Sequence, residues 1–261
     1  MALETHIDAD GVAHVTLDRA QRHNAFDEAL IAALAETFGA LGVEPGVRAV
    51  VLSGKGKSFC AGADLDWMSR AAGYTQAQNR EDAQRLSDML AAINDCPKPV
   101  IAIVHGNVAG GGVGLAACAD MVVAISGVQF RLSEVRLGLT PATISPFVMA
   151  KIGASAARRW FLTAEAFGAD AARDMGLVHE VAADRDAADA VVAGWLAHLG
   201  AAAPGAVADA KALVQDFAGR DISLILRAET AARIAARRAS DEGREGIGAF
   251  LGKRKPNWVK E

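Results

Sequence analysis

Apolar positions follow two rhythms along the chain. Short apolar runs that read as strands alternate with longer stretches whose apolar residues recur at helical spacing. Thr5–Ile7 and Val12–Leu17 flank the turn signal Asp10-Gly11 and predict a hairpin. Phe26, Leu30, Leu34, Phe38 and Leu41 recur every three or four residues and predict an amphipathic helix over 26–41. The run 47–52 predicts a strand. A long helix over 74–93 is closed by Pro97 and Pro99, and 99–104 predicts another buried strand. Residues 115–119 predict a helix, and strands are expected at 121–125 and 128–130. Helical turns follow at 146–152 and 154–163, then a helix over 169–175 that Gly176 ends, leading into a strand at 177–181. From about Ala188 only helical patterns remain, over 188–199, 205–217, 221–239 and 242–250. Strands separated by helices pair in parallel, so the expectation is an α/β core over 1–187 and a helical lobe over 188–261.

Composition agrees with a globular chain: of 261 residues, 52% are hydrophobic and 22% charged, enough to bury a sizeable core. A net charge of −4 with no long basic tract argues against nucleic acid and anionic membranes as partners. The stretch 108–125 contains Asp120 and four glycines and does not read as a membrane span. Cys60, Cys96 and Cys118 lack metal-ligand spacing and cannot all pair, which fits a reducing cytoplasm. The first ten residues carry acids and no apolar core, unlike a signal peptide. The histidines show no paired spacing, so no metal is implied.

Two small-residue turns hold the candidate chemistry. Gly110-Gly111-Gly112 follows the strand at 99–104 and opens a helix. Such a turn exposes backbone N–H groups at the positive end of a helix, where a phosphate or a developing oxyanion can bind. Close packing of strand on helix is the other reading of a lone glycine run. A second turn, Phe59-Cys60-Ala61-Gly62-Ala63-Asp64-Leu65, also follows an apolar strand. Two turns of this kind can aim two N–H donors at one oxygen.

With Arg22-His23-Asn24-Ala25, Gly176-Leu177-Val178 and the segment 245–255, these turns resemble the enoyl-CoA hydratase/isomerase (crotonase) family over essentially the whole chain. The resemblance implies a spiral of ββα units and C-terminal helices that mediate trimers, which in some members pair into hexamers. It implies an acyl-CoA thioester as substrate, with no separate cofactor. It places the oxyanion donors at the backbone N–H groups of Ala63 and Gly111 and a catalytic carboxylate at Glu134. CoA recognition is carried to Ala61, Ala63, Asp64, Leu65 and Asp66, whose backbone would cup the adenine, with Gly111 at the thioester and Arg22 and Lys253 near phosphate. Trp67 and Met68 either wall the acyl pocket or pack their helix.

The chain departs from the usual pattern at Gly114, where many hydratases carry a second glutamate. Glu134 acting alone, a stand-in from Asp120, Asp66 or His105, or another reaction of the family (isomerisation, decarboxylation, thioester hydrolysis) are the readings this leaves. A non-catalytic acyl-CoA-binding relative is a rival from another class. The run 136–146 resembles a methylglutaconyl-CoA hydratase subgroup of leucine or acyclic isoprenoid breakdown. Arg70, Arg131, Arg136 and Lys151 are then candidates to meet the second carboxylate of such an acyl group.

Overall fold

The computed structural model describes residues 2–259. Strands β1 (Leu3–Ile7) and β2 (Val12–Leu17) form the expected hairpin, with Ile7 opposite Ala13 and Leu3 opposite Leu17. Helix α1 (Glu28–Val43) follows, capped by Asp27, and buries Leu30, Leu34, Phe38 and Leu41 as the periodicity predicts. The chain then winds through three similar units. The first is β3 (Ala49–Gly54), β4 (Ser58–Cys60), α2 (Leu65–Ala71) and α3 (Gln76–Asn94). The second is β5 (Val100–Val104), β6 (Asn107–Ala109) and α4 (Gly111–Cys118). The third is β7 (Met121–Ile125), β8 (Gln129–Arg131) and α5 (Ser145–Thr163). Then come β9 (Ala166–Gly168), α6 (Ala169–Asp174), β10 (Glu180–Ala182) and four helices: α7 (Arg185–Ala201), α8 (Pro204–Phe217), α9 (Leu224–Ala239) and α10 (Asp241–Leu251).

Each unit leaves one strand in a large sheet, turns a corner, and leaves the next in a small one. The large sheet runs β1-β2-β3-β5-β7-β10, parallel throughout except for the β1–β2 hairpin. The small sheet runs β4-β6-β8-β9, with β4, β6 and β8 parallel and β9 antiparallel to β8. The corner between β5 and β6 is Gly106, with φ +60; a Cβ there would lie 1.8 Å from the Lys57 carbonyl oxygen. This winding is the expected spiral of ββα units.

The strands of the large sheet are apolar in nearly unbroken runs because both faces are covered. Val15, Leu17, Val50, Leu52, Val100 and Val104 face the main core, with α1, α3, α4 and α5. Val12, Val51, Ile101, Ile103 and Val123 face Ala188 and Val192 of α7. The expected boundary at residue 187 therefore falls inside a helix that covers the sheet. Helices α8, α9 and α10 follow α7.

Several local expectations are corrected. The helix placed at 115–119 starts at Gly111, because the glycines themselves adopt helical backbone. The strand placed at 177–181 is β10; Leu177 and Val178 instead bury their side chains, and their N–H groups cap Ala172. The two helical turns at 146–152 and 154–163 join in α5, broken at Gly153 with φ 73.

The outer helices are tied back by polar links. Lys211 of α8 pairs with Asp120 at 2.8 Å, and Asp120 also accepts the Val100 N–H at 2.7 Å. Glu242 of α10 caps α8 by accepting from Gly205 and Ala206. Arg48, just before β3, donates to the carbonyls of Leu199, Ala202 and Trp258.

Candidate active site

The strand order of the small sheet builds the site. β4, β6 and β8 are parallel neighbours, so the loops that leave them emerge at the same edge. Loops at the carboxyl ends of parallel strands are where α/β folds gather ligand-binding groups. Ala63 lies three residues beyond β4, Gly111 two beyond β6, and Glu134 three beyond β8. All three line one cavity of about 450 Å³.

The loops fit this closely only because glycines sit where they do. A Cβ on Gly62, with φ +90, would lie 2.8 Å from the Ala109 carbonyl oxygen, and one on Gly112 would lie 2.3 Å from the Cys60 carbonyl oxygen. The Gly110 N–H donates to the Arg131 carbonyl at 2.9 Å, joining the second loop to the third. Phe26 braces the first: its N–H donates to the Gly62 carbonyl, and its carbonyl accepts the Asp64 N–H. In this parallel bridge the N–H of Ala63 itself points away from Phe26. Gly111 is the first residue of α4, where the N–H has no acceptor within the helix.

The Arg22-His23-Asn24-Ala25 segment supports the first loop from behind. Asn24 is fully buried in left-handed backbone; its amide donates to the Lys55 and Ser58 carbonyls and its oxygen accepts the Arg19 N–H. The His23 carbonyl accepts the Ala61 N–H. Cys60, within the same turn, is no nucleophile in waiting: burial pushes its thiol up to about 12.

Glu134 begins a short 3₁₀ turn over 134–137. Burial raises its carboxyl above the ordinary glutamate value, and Oε2 is buried without a hydrogen-bond partner among the described residues. Its Oε1 lies 3.2 Å from where a Cβ on Gly110 would stand, so the carboxylate sits against the backbone of the glycine turn. A poorly solvated carboxylate beside exposed amide donors can move a proton near neutral pH while a neighbouring oxygen takes up negative charge.

The three stand-ins considered for a second acid are placed elsewhere. Asp120 is engaged by Lys211 and the Val100 N–H, Asp66 pairs with Arg22 at 2.8 Å, and His105 is bonded to the Gly56 carbonyl. None lines the cavity. The Gly114 position is itself filled: a Cβ there would lie 2.5 Å from Ile144 Cγ2, so this wall is closed by an aliphatic side chain. The cations considered for a second carboxylate do not line the cavity either. Arg70 is held by both oxygens of Glu28, and Lys151 reaches toward the Asp120 carbonyl.

Of the residues expected to meet CoA, Ala61, Ala63, Leu65 and Gly111 line the cavity. Asp64 is buried, caps α2 and pairs with Arg19, so its side chain serves the loop. Asp66 and Arg22 lie exposed nearby. Lys253 follows α10 and does not line the cavity. Trp67 and Met68 of α2 do line it.

One lining residue escaped the sequence reading. Asp82 is a buried acid on α3, and its Oδ1 accepts the Trp67 Nε1–H at 3.3 Å. The signal was present: Asp82, Leu86, Met89, Leu90 and Ile93 share one helical stripe, and an acid on an apolar stripe calls for an explanation.

Comparison with known proteins agrees with this geometry. The family model described as enoyl-CoA hydratase/isomerase matches residues 8–261. An enoyl-CoA hydratase, AFT6-1, from Alternaria alternata is 41% identical over 205 residues, which are 78% of this chain and 67% of that protein. A solved enoyl-CoA hydratase from Shewanella pealeana superposes with a TM-score of 0.95 at 37% identity, covering 99% of this chain and 96% of that one. The peroxisomal Δ(3,5)-Δ(2,4)-dienoyl-CoA isomerase of Arabidopsis thaliana is 30% identical over 95% of this chain and 93% of its own length.

Proposed function

The chain belongs to the enoyl-CoA hydratase/isomerase family, and from that footing we propose that it adds water reversibly across the double bond of a 2-enoyl-CoA, with Glu134 as its acid–base group. It is an enzyme of the enoyl-CoA hydratase type, a lyase, and its substrate is an acyl-CoA thioester. The observation that carries the proposal is the delivery of Ala63, Gly111 and Glu134 into one cavity by three neighbouring parallel strands.

The chemistry runs on one carboxylate. Glu134 takes a proton from water as its oxygen bonds to C3 of the enoyl chain. The electron pair of the double bond moves onto the thioester carbonyl, where the N–H groups of Ala63 and Gly111 hold the enolate oxygen. Glu134 then returns the proton to C2, so the net addition is one water. Loss of one such amide donor costs about 2.7–4 kcal/mol of barrier. The closed wall at Gly114 supports a single acid in this role.

Glu134→Gln should abolish the loss of enoyl-thioester absorbance; unchanged turnover in that variant would remove the assignment. A proton shuttle by the same lone carboxylate from C2 to a carbon further along the acyl chain, C6 for a 3,5-dienoyl group, is the second reading, favoured by likeness to the Arabidopsis isomerase. Mass spectrometry separates the two, because hydration adds one water and isomerisation adds none.

The backbone of 61–66 and Arg22 suit the CoA end of the cavity. Lys253 fits a phosphate contact made to a neighbouring copy, within a homotrimer or a dimer of trimers. Exposed Val214, Ile222, Leu224, Ile225, Phe250 and Leu251 on and between the outer helices support such an assembly. Three buried free thiols suit a reducing cytoplasm. The resemblance of 136–146 favours a methylglutaconyl-type acyl group, whereas the cavity offers it no lining Lys or Arg among the described residues. A neutral enoyl chain suits this lining better.

A further inference from the structure

Asp82 has no part in the chemistry just described, yet it is only 8% exposed and lines the acyl cavity. A buried carboxylate ordinarily has a cation or several donors around it. Asp82 makes no ion pair among the described residues. Arg85, one turn along α3, is taken by Glu81. The bond it accepts comes from Trp67 Nε1 to Oδ1, at 3.3 Å. Oδ2 accepts none from the described residues, and it is not among the polar atoms sealed from solvent. Trp67, Met68, Ala83 and Leu86 line the cavity with it, as does Asn79 one turn earlier on α3, and no Lys, Arg or His does among the described residues. A carboxylate in a cavity with no lining cation discriminates between acyl chains in two ways. It offers a charge-assisted hydrogen bond to a chain that carries a donor, and it repels a chain that carries a carboxylate.

We propose that Asp82 is the specificity-determining residue of the acyl pocket: it selects neutral acyl chains bearing a hydroxyl beyond the reacting carbons and rejects acyl groups with a second carboxylate. This rests on the cavity being the acyl-CoA site. The Trp67 indole occupies one oxygen of Asp82, and the other accepts from no donor among the described residues.

The test uses saturated thioesters, which bind without reacting, so it does not depend on turnover. Dissociation constants of the full-length protein are measured by calorimetry for an unsubstituted acyl-CoA series, for the same chains with a terminal hydroxyl, and for the same chains ending in a carboxylate. Wild type should bind the best-fitting hydroxyacyl-CoA about tenfold tighter than its unsubstituted parent, and the carboxylate series at least tenfold more weakly than that parent. Asp82→Asn keeps the shape and can still accept from Trp67. It should erase most of the penalty on the carboxylate series and reduce the hydroxyl preference severalfold, each measured against the unsubstituted chain in the same variant. Trp67→Phe should retain both preferences.

Tight binding of the carboxylate series to wild type would overturn the proposal and leave the hydratase reading standing. Loss of affinity for every chain alike in Asp82→Asn, or loss of both preferences in Trp67→Phe, would show that Asp82 merely holds the indole. Failure of wild type to bind any acyl-CoA would instead overturn the assignment of the cavity.

Discussion

Oε2 of Glu134 is a buried acceptor that no donor among the described residues reaches, and burial raises the carboxyl. Both facts have a sign. The unfolded chain releases this proton at the ordinary glutamate value and the folded chain releases it later, so the folded state binds more protons between the two. Stability contributed by this group is therefore fully present below the ordinary value and is lost as pH rises through the raised one. Glu134→Gln should melt above wild type at pH 7–8, with the gap closing as pH falls toward 4; scanning calorimetry over that range checks it. Activity runs the other way, because the base must be ionised: kcat/KM should rise with pH through an inflection above the ordinary glutamate value. The same variant should lower kcat by about 10²–10⁴-fold. Gly114 makes the opposite kind of site. Its missing side chain is replaced by Ile144, so Gly114→Ala forces a clash and should cost about 1–3 kcal/mol in urea unfolding, with no gain in rate. At this scale the sequence was informative where a residue type is unusual for its surroundings, as with the glycine turns. It was misread at Asp82, whose apolar stripe was treated as helix patterning alone.

Among the elements, long periodic segments were legible, and of the three-residue strands in the small sheet only β8, expected at 128–130, was. The 28–43 and 76–94 helices and the strands of the large sheet announce themselves by burial on one or both faces. The strands β4, β6 and β9 are three residues each, too short for any period, and their pairing depends on neighbours about twenty to fifty residues away. That small sheet is the one that places the site, so its geometry became visible only in three dimensions. Asp120 shows how an element-level link can resemble a catalytic acid in sequence. It joins the start of β5 to α8 through Val100 and Lys211. Asp120→Ala leaves a β5 N–H without its acceptor and a largely buried ammonium with only the Lys98 carbonyl, and should destabilise the fold by roughly 1.5–3 kcal/mol. Turnover per folded molecule should stay within about twofold of wild type; a large drop in kcat at full folding would restore Asp120 as an acid.

For the molecule as a whole, the three outer helices expose more apolar surface than a lone subunit needs. Ile225 is 77% exposed and Phe250 82% exposed. If they face other copies, the double variant Ile225→Asp and Phe250→Asp should run as a monomer in light scattering, and CoA affinity should fall together with that of Lys253→Ala. A monomeric wild type would end this proposal. The assembly was inferred from family resemblance, since an exposed apolar face in a sequence looks the same as a buried one.

Arg48 donates to carbonyls at positions 199, 202 and 258, from a place immediately before β3, the third strand of the large sheet. During synthesis those acceptors have not yet been made when the guanidinium leaves the ribosome. The early strands must therefore wait for these acceptors, and the native clasp can close only once α7 and the residues beyond α10 have emerged.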